Sequence, residues 1–159
     1  MNELLFHGMT LNYPDDFHVL DDEERKGMQT IGDGEWTGLS APERHVIITV
    51  GWKRAGGLFG AMLNTEDMKK NTEKAIAKAM RPYDYHKEKE CGYTLHGETF
   101  KGFRYSYTAQ GTKMTGETLI LKKGSDHYEL HFYGRTEFLE DENKLWEEVL
   151  HSLRWETAE

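Results

Sequence analysis

Apolar and polar positions alternate most clearly between Gly102 and Arg135. Phe103, Tyr105 and Tyr107 fall on one side of a period-two pattern, with Arg104, Ser106 and Thr108 on the other. A second run covers Gly116 to Lys122. In a third, Tyr128, Leu130, Phe132 and Gly134 oppose His127, Glu129, His131, Tyr133 and Arg135. Short polar turns separate the runs, so the pattern predicts an antiparallel meander. The period then changes to that of a helix, expected from about Glu137 to Leu153. Leu145, Trp146, Val149, Leu150 and Leu153 form its buried stripe. A sheet with an apolar face needs a cover, and this helix supplies one.

Upstream, residues 4–13 alternate imperfectly and stop at Tyr13-Pro14-Asp15-Asp16, a turn signal. Phe17 to Leu20 restarts as a short strand, and the two together read as an N-terminal hairpin. Residues 21–27 read as a charged turn and Trp36 to Leu39 as a short strand. His45 to Trp52 is the most apolar run. Its β-branched residues suit a central strand covered on both faces. A Gly-rich loop follows from Lys53 to Gly60. A helix should begin near Asn64 or Thr65, where either residue can cap and Glu66 and Asp67 suit the helix dipole. Met68, Ala75, Ile76, Ala79 and Met80 would form its buried face, and Pro82 would end it. Tyr83 to Glu90 and Tyr93 to Glu98 read as two further strands. The fold class expected is α+β: a mostly antiparallel sheet with a helix on each face.

A chain of 159 residues without linker or repeat is expected to be one domain spanning 1–159. Its formal charge is −8, from 20 basic and 28 acidic residues, which argues against nucleic acid as a partner. Lys69, Lys70, Lys74 and Lys78 are interleaved with Glu66, Asp67 and Glu73, as on a solvated helix face. Cys91 has no second cysteine to pair with and reads as structural. No membrane span or secretory leader is visible, so the expected location is cytoplasmic as written, or exported if a leader has been removed. Charged residues Lys87 to Glu90 would blunt one sheet edge, which favours a monomer over a homodimer.

Candidate chemistry is sparse. The nearest thing to a nucleophile elbow, around Ser40, lacks its second glycine, and neither Gly32-x-Gly34 nor Gly56-Gly57-x-x-Gly60 completes a phosphate-binding pattern. No catalytic residue and no cofactor is assigned. His127, Glu129 and His131 project from one strand face, with neighbours about 6.5–7 Å apart, a spacing that can serve a metal or ligand. The two histidines are about 13 Å apart on a straight strand, so a metal would need one of them, Glu129 and donors from a neighbouring strand. Lys53 and Arg54 stand beside Leu58, Phe59, Met62 and Leu63, basic groups next to an apolar run. That combination suits docking of an acidic, amphipathic protein. Arg54, Leu58, Phe59 and Met62 are its candidate contacts. The alternative is that Phe59, Met62 and Leu63 simply close the core over the helix that follows.

The order of features resembles a known family. It begins with Leu11-Asn12-Tyr13-Pro14 at the opening hairpin and Val50-Gly51-Trp52-Lys53 ending a strand. A Lys- and Ala-rich helix comes next, then Gly102 to Tyr105, Tyr128-Glu129-Leu130 and a closing Ser152-Leu153-Arg154-Trp155. This resembles the PsbP-like fold of the photosystem II subunit PsbP, the yeast Ran-binding import factor Mog and bacterial DcrB-like proteins. The resemblance implies an α/β/α sandwich and a non-enzymatic role in binding an unidentified protein partner. Some bacterial relatives are lipoproteins and others are chaperones for secretion effectors. This chain lacks the lipoprotein's acceptor cysteine near its N-terminus. The resemblance carries over no site residue.

Overall fold

Among the described residues, four hairpins are closed by two residues each, and a fifth, β4 (Glu35–Ala41) to β5 (Val46–Arg54), by four. Strands β1 (Asn2–Phe6) and β2 (Met9–Tyr13) are joined by His7-Gly8, with φ of 47° and 80°. β6 (His86–Leu95) joins β7 (Glu98–Ala109) through His96-Gly97, and β7 joins β8 (Thr112–Lys123) through Gln110-Gly111. All three pairs have positive φ at both positions, as a tight hairpin of this twist requires, and glycine takes the second at no steric cost. β8 meets β9 (Asp126–Arg135) at Gly124-Ser125. This computed structural model describes residues 1–28, 34–54 and 64–155.

The remaining elements are β3 (His18–Val19), helix α1 (Asp22–Lys26), helix α2 (Thr65–Met80), helix α3 (Leu139–His151) and β10 (Arg154–Trp155). A seven-stranded sheet has the order β3-β4-β5-β9-β8-β7-β6, and a three-stranded sheet the order β1-β2-β10. All their pairings are antiparallel. The expected α+β class with a helix on each face is what the chain adopts.

One face of the large sheet carries most of the core. Ile48, Val50, Leu119, Leu121, Leu130 and Phe132 pack there against Leu145, Trp146, Val149 and Leu150 of α3, with Met9 and Leu11 of the small sheet beside them. A buried polar knot lies within this core. Glu117 is 1% exposed and accepts from Arg104 Nε at 3.2 Å, from Tyr93 at 3.2 Å and from the Trp146 indole. Arg104 also reaches Asn143 of α3 at 2.9 Å. These bonds fix the helix to the sheet.

On the opposite face, α2 packs mainly over β7 and β8. Ile76 is its one fully buried apolar residue and sits on Phe103 and Tyr105. Asn64 caps this helix by accepting from the Asp67 backbone N–H at 2.8 Å, as its sequence suggests.

Four expectations need correction. The N-terminal hairpin is β1–β2, turning at His7-Gly8, while the segment after Pro14 leaves it and pairs β3 with β4. Residues 22–26 form a short helix, because Asp21 and Glu24 make a reciprocal capping box. Residues 86–95 are one strand, with the turn at His96-Gly97. On α2, Ala79 is exposed and Met68 only partly buried, because the sheet beneath that flank is uncovered. Lys87 to Glu90 do lie on an edge strand, β6. Among the described residues, no helix is long and apolar enough to cross a membrane.

Candidate functional site

Among the described residues, half of this sheet face is left uncovered and forms a groove of about 840 Å³ over β4, β5 and β9. Met68, Ala79 and Met80 of α2 wall one side, the β7–β8 turn closes one end, and Glu35 and Trp36 stand on the far rim. Antiparallel register turns its floor into rows across β5, β9 and β8. Lys53, His127 and Lys122 make the first, and Gly51, Glu129 and Ile120 the second. Thr49, His131 and Thr118 follow, then Ile47, Tyr133 and Gly116. Residues in one row project to the same face as close neighbours. The floor therefore runs from a basic end to an aromatic one. At Gly116 the Tyr105 ring lies so close to the backbone that an added Cβ would meet it at 2.5 Å, so glycine is what lets the tyrosines settle flat here.

The third row holds a hydrogen-bonded chain. Thr118 Oγ1 and His131 Nδ1 are 2.8 Å apart, His131 Nε2 lies 3.2 Å from Glu129 Oε2, and Thr72 of α2 donates to Glu129 Oε1 at 2.8 Å. Burial alone would push the Glu129 carboxyl up, but the bonds from His131 and Thr72 and the charge of Lys53 outweigh it and hold the group below the ordinary carboxylate value. The order of groups is that of nucleophile, base and acid. Thr118, however, is fully buried and does not line the groove, so its hydroxyl is not presented there. The chain of bonds positions side chains instead. Tyr133 stacks on His131 with centroids 6.0 Å apart, and burial raises the phenols of Tyr133 and Tyr107, the latter to about 12.

His127 stands apart. It is 4% exposed, lines the groove, and neither ring nitrogen has a hydrogen-bond partner. Burial lowers its pKa, as do the charges of Lys53 and Lys122, against the pull of Asp126. Asp126 itself accepts from the Trp52 indole at 3.0 Å and pairs with Arg54 at 3.6 Å.

His127, Glu129 and His131 thus share a face, as the alternation implies, but they do not converge. Among the described residues, no three His, Cys, Asp or Glu side chains gather as a metal would need. Arg54 lies exposed at the end of β5, where strand alternation turns it to the face opposite Lys53, and it pairs there with Asp126. Leu58, Phe59 and Met62 lie outside the described residues. Cys91 is half-buried, and burial, then the nearby Glu117 charge, pushes its thiol up to about 12, far from a reactive thiolate. Sequence reasoning missed the groove itself, along with Thr72 and Thr118, because these come from elements distant in the chain.

No family model and no curated protein matches the sequence. Solved structures do. Cyanobacterial PsbP from Synechocystis sp. PCC 6803 superposes with a TM-score of 0.70 at 12% identity, over 98% of this chain and 92% of its own. The Saccharomyces cerevisiae Ran-binding protein Mog1p gives 0.57 at 8% identity, over 97% and 94%. A Bacteroides thetaiotaomicron protein gives 0.60 at 15% identity, and there this chain spans 46% of the other's length. The molecule is an α+β sandwich built on a mostly antiparallel sheet. More narrowly, it has the PsbP-like fold.

Proposed function

We propose that this chain is a small non-enzymatic protein-binding or adaptor domain, a single unit over residues 1–159 that acts as a monomer. Its contact surface is the end of β5 and the sheet face beside it, with Arg54, Leu58, Phe59 and Met62 as contacts. One observation carries this reading. Among the described residues, helix α2 leaves half of a sheet face open, and the resulting groove has apolar walls at Met68, Ala79 and Met80, an aromatic end at Tyr107 and Tyr133, and a basic end at Lys53. An acidic, amphipathic segment matches that surface in both charge and polarity. A structural neighbour, the Ran-binding protein Mog1p, agrees with a protein partner in kind.

The test is affinity capture from a lysate of the source organism, comparing the native protein with a Leu58→Ala, Phe59→Ala variant whose fold is confirmed by circular dichroism. A protein enriched by the native form and lost with the variant supports the assignment. A Phe59→Ala destabilisation of about 3–5 kcal/mol would instead make Phe59 a core residue and withdraw it from the contact set.

A second reading is a small-ligand site on the polar strand face of His127, Glu129 and His131. The buried, unpartnered imidazole of His127 favours it. A metal is the less favoured ligand, since both ring nitrogens of His131 are already engaged, by Thr118 and Glu129.

A further inference from the structure

We propose that the Lys53–His127–Lys122 end of the groove binds the anionic head group of a single-chain amphiphile, whose apolar body lies along Ile47, Tyr133, Tyr107 and Met80. This rests on the second reading above, that the groove takes a small ligand. Buried polar side chains are nearly always hydrogen-bonded, so an imidazole that is 4% exposed with both nitrogens unanswered marks a place where a bonding group belongs. The row it occupies says which group. His127 lies directly between Lys53 and Lys122 in register. Two ammonium groups flank one neutral ring that can donate an N–H, and together they suit an anion.

Among the described residues, no carboxylate bonds the His127 ring. Glu129 is held by Thr72 at 2.8 Å and by His131 at 3.2 Å, and Asp126 by Trp52 at 3.0 Å and Arg54 at 3.6 Å. Both face other partners, and neither bonds His127. From His127 to Tyr133 the strand rises about 20 Å, the reach of a medium-length alkyl chain. The cavity of about 840 Å³ falls within the usual size of small-molecule sites. Met80 and Met114 give its walls adaptable apolar side chains.

The test uses the full chain and dodecanoate below its micelle concentration, with dodecanol and dodecyltrimethylammonium as uncharged and cationic controls. Binding is followed by the His127 imidazole ¹⁵N shifts and the Met80 and Met114 methyl resonances. The expected result is saturable binding of dodecanoate that moves both sets. Both controls should bind about ten- to a hundredfold more weakly, the range of a charge-assisted hydrogen bond. His127→Phe should weaken dodecanoate by a similar factor and leave dodecanol unchanged. Lys53→Met with Lys122→Met is the second variant, should His127→Phe fail to fold. Equal binding of acid and alcohol, with methyl shifts in both, would overturn the anion assignment while leaving the groove a ligand site. No binding of any of the three to the folded protein would overturn the ligand reading as well.

Discussion

Replacing Glu117 by leucine should cost more than almost any other substitution in the chain. The carboxylate is 1% exposed and answers three donors: the Arg104 guanidinium, the Tyr93 hydroxyl and the Trp146 indole. Arg104 is itself 8% exposed, so Glu117→Leu leaves a buried cation without its counter-charge. Breaking one half of a buried pair costs about 3–5 kcal/mol. Asn143, still 2.9 Å from the guanidinium, pulls the value toward the lower end. The loss is a large share of a total stability of roughly 5–15 kcal/mol. It should lower the melting temperature by roughly 6–20 °C in a chain of this size. Urea unfolding followed by intrinsic tryptophan fluorescence reads it as a drop in midpoint at unchanged slope. The double variant Arg104→Met, Glu117→Leu removes both charges and should be more stable than the single variant, with a residual loss of about 1–3 kcal/mol from the Trp146 indole left without its acceptor. A single-variant loss below about 1 kcal/mol, or a double variant as unstable as the single, would refute the reasoning.

Other outcomes follow from the same geometry. An added Cβ at Gly102 would lie 1.8 Å from the Thr118 carbonyl oxygen, so Gly102→Ala should force β7 from β8 and lose at least about 1–3 kcal/mol in urea unfolding. The folded pKa of His127 lies below its ordinary 6.5, so the unfolded chain binds the extra proton first as pH falls. The stability tied to the neutral ring is full above pH 6.5 and is lost as pH falls from there toward the folded value. Melting curves of His127→Phe should lack this component, and an identical acid limb in both proteins would count against it. The Cys91 thiol, raised to about 12, should resist a thiol reagent at pH 8 in the native protein and react once urea unfolds it.

Much of the architecture was legible in the sequence because its signals are local. The alternation from Gly102 to Arg135 assigns the faces of β7 and β9 correctly, and the stripe Leu145, Trp146, Val149, Leu150 and Leu153 is buried as expected. The hairpin errors share one cause. His7-Gly8 and His96-Gly97 carry the same turn chemistry as Gln110-Gly111, but histidine is a less usual partner for glycine at such turns than asparagine or aspartate, and the proline after Tyr13 is a louder signal. The candidate site was legible only in part. Alternation places His127, Glu129 and His131 on one face. Their separate fates, one unpartnered and two bonded to each other, depend on Thr72 and Thr118 from other elements. The groove depends on where α2 stops covering the sheet, a tertiary fact that no periodicity in the chain encodes.

The central claim is that the open half of the sheet face is a binding surface. Its most direct test is affinity capture from the source organism with three baits of confirmed fold. These are the native chain, Ile47→Glu at the aromatic end of the groove floor, and Glu147→Lys on the exposed side of α3. The account predicts a protein enriched equally by the native and Glu147→Lys baits and lost with Ile47→Glu, since a buried acid repels an acidic segment. A partner retained by Ile47→Glu and lost with Glu147→Lys would place the interaction on the helix-covered face and contradict the account.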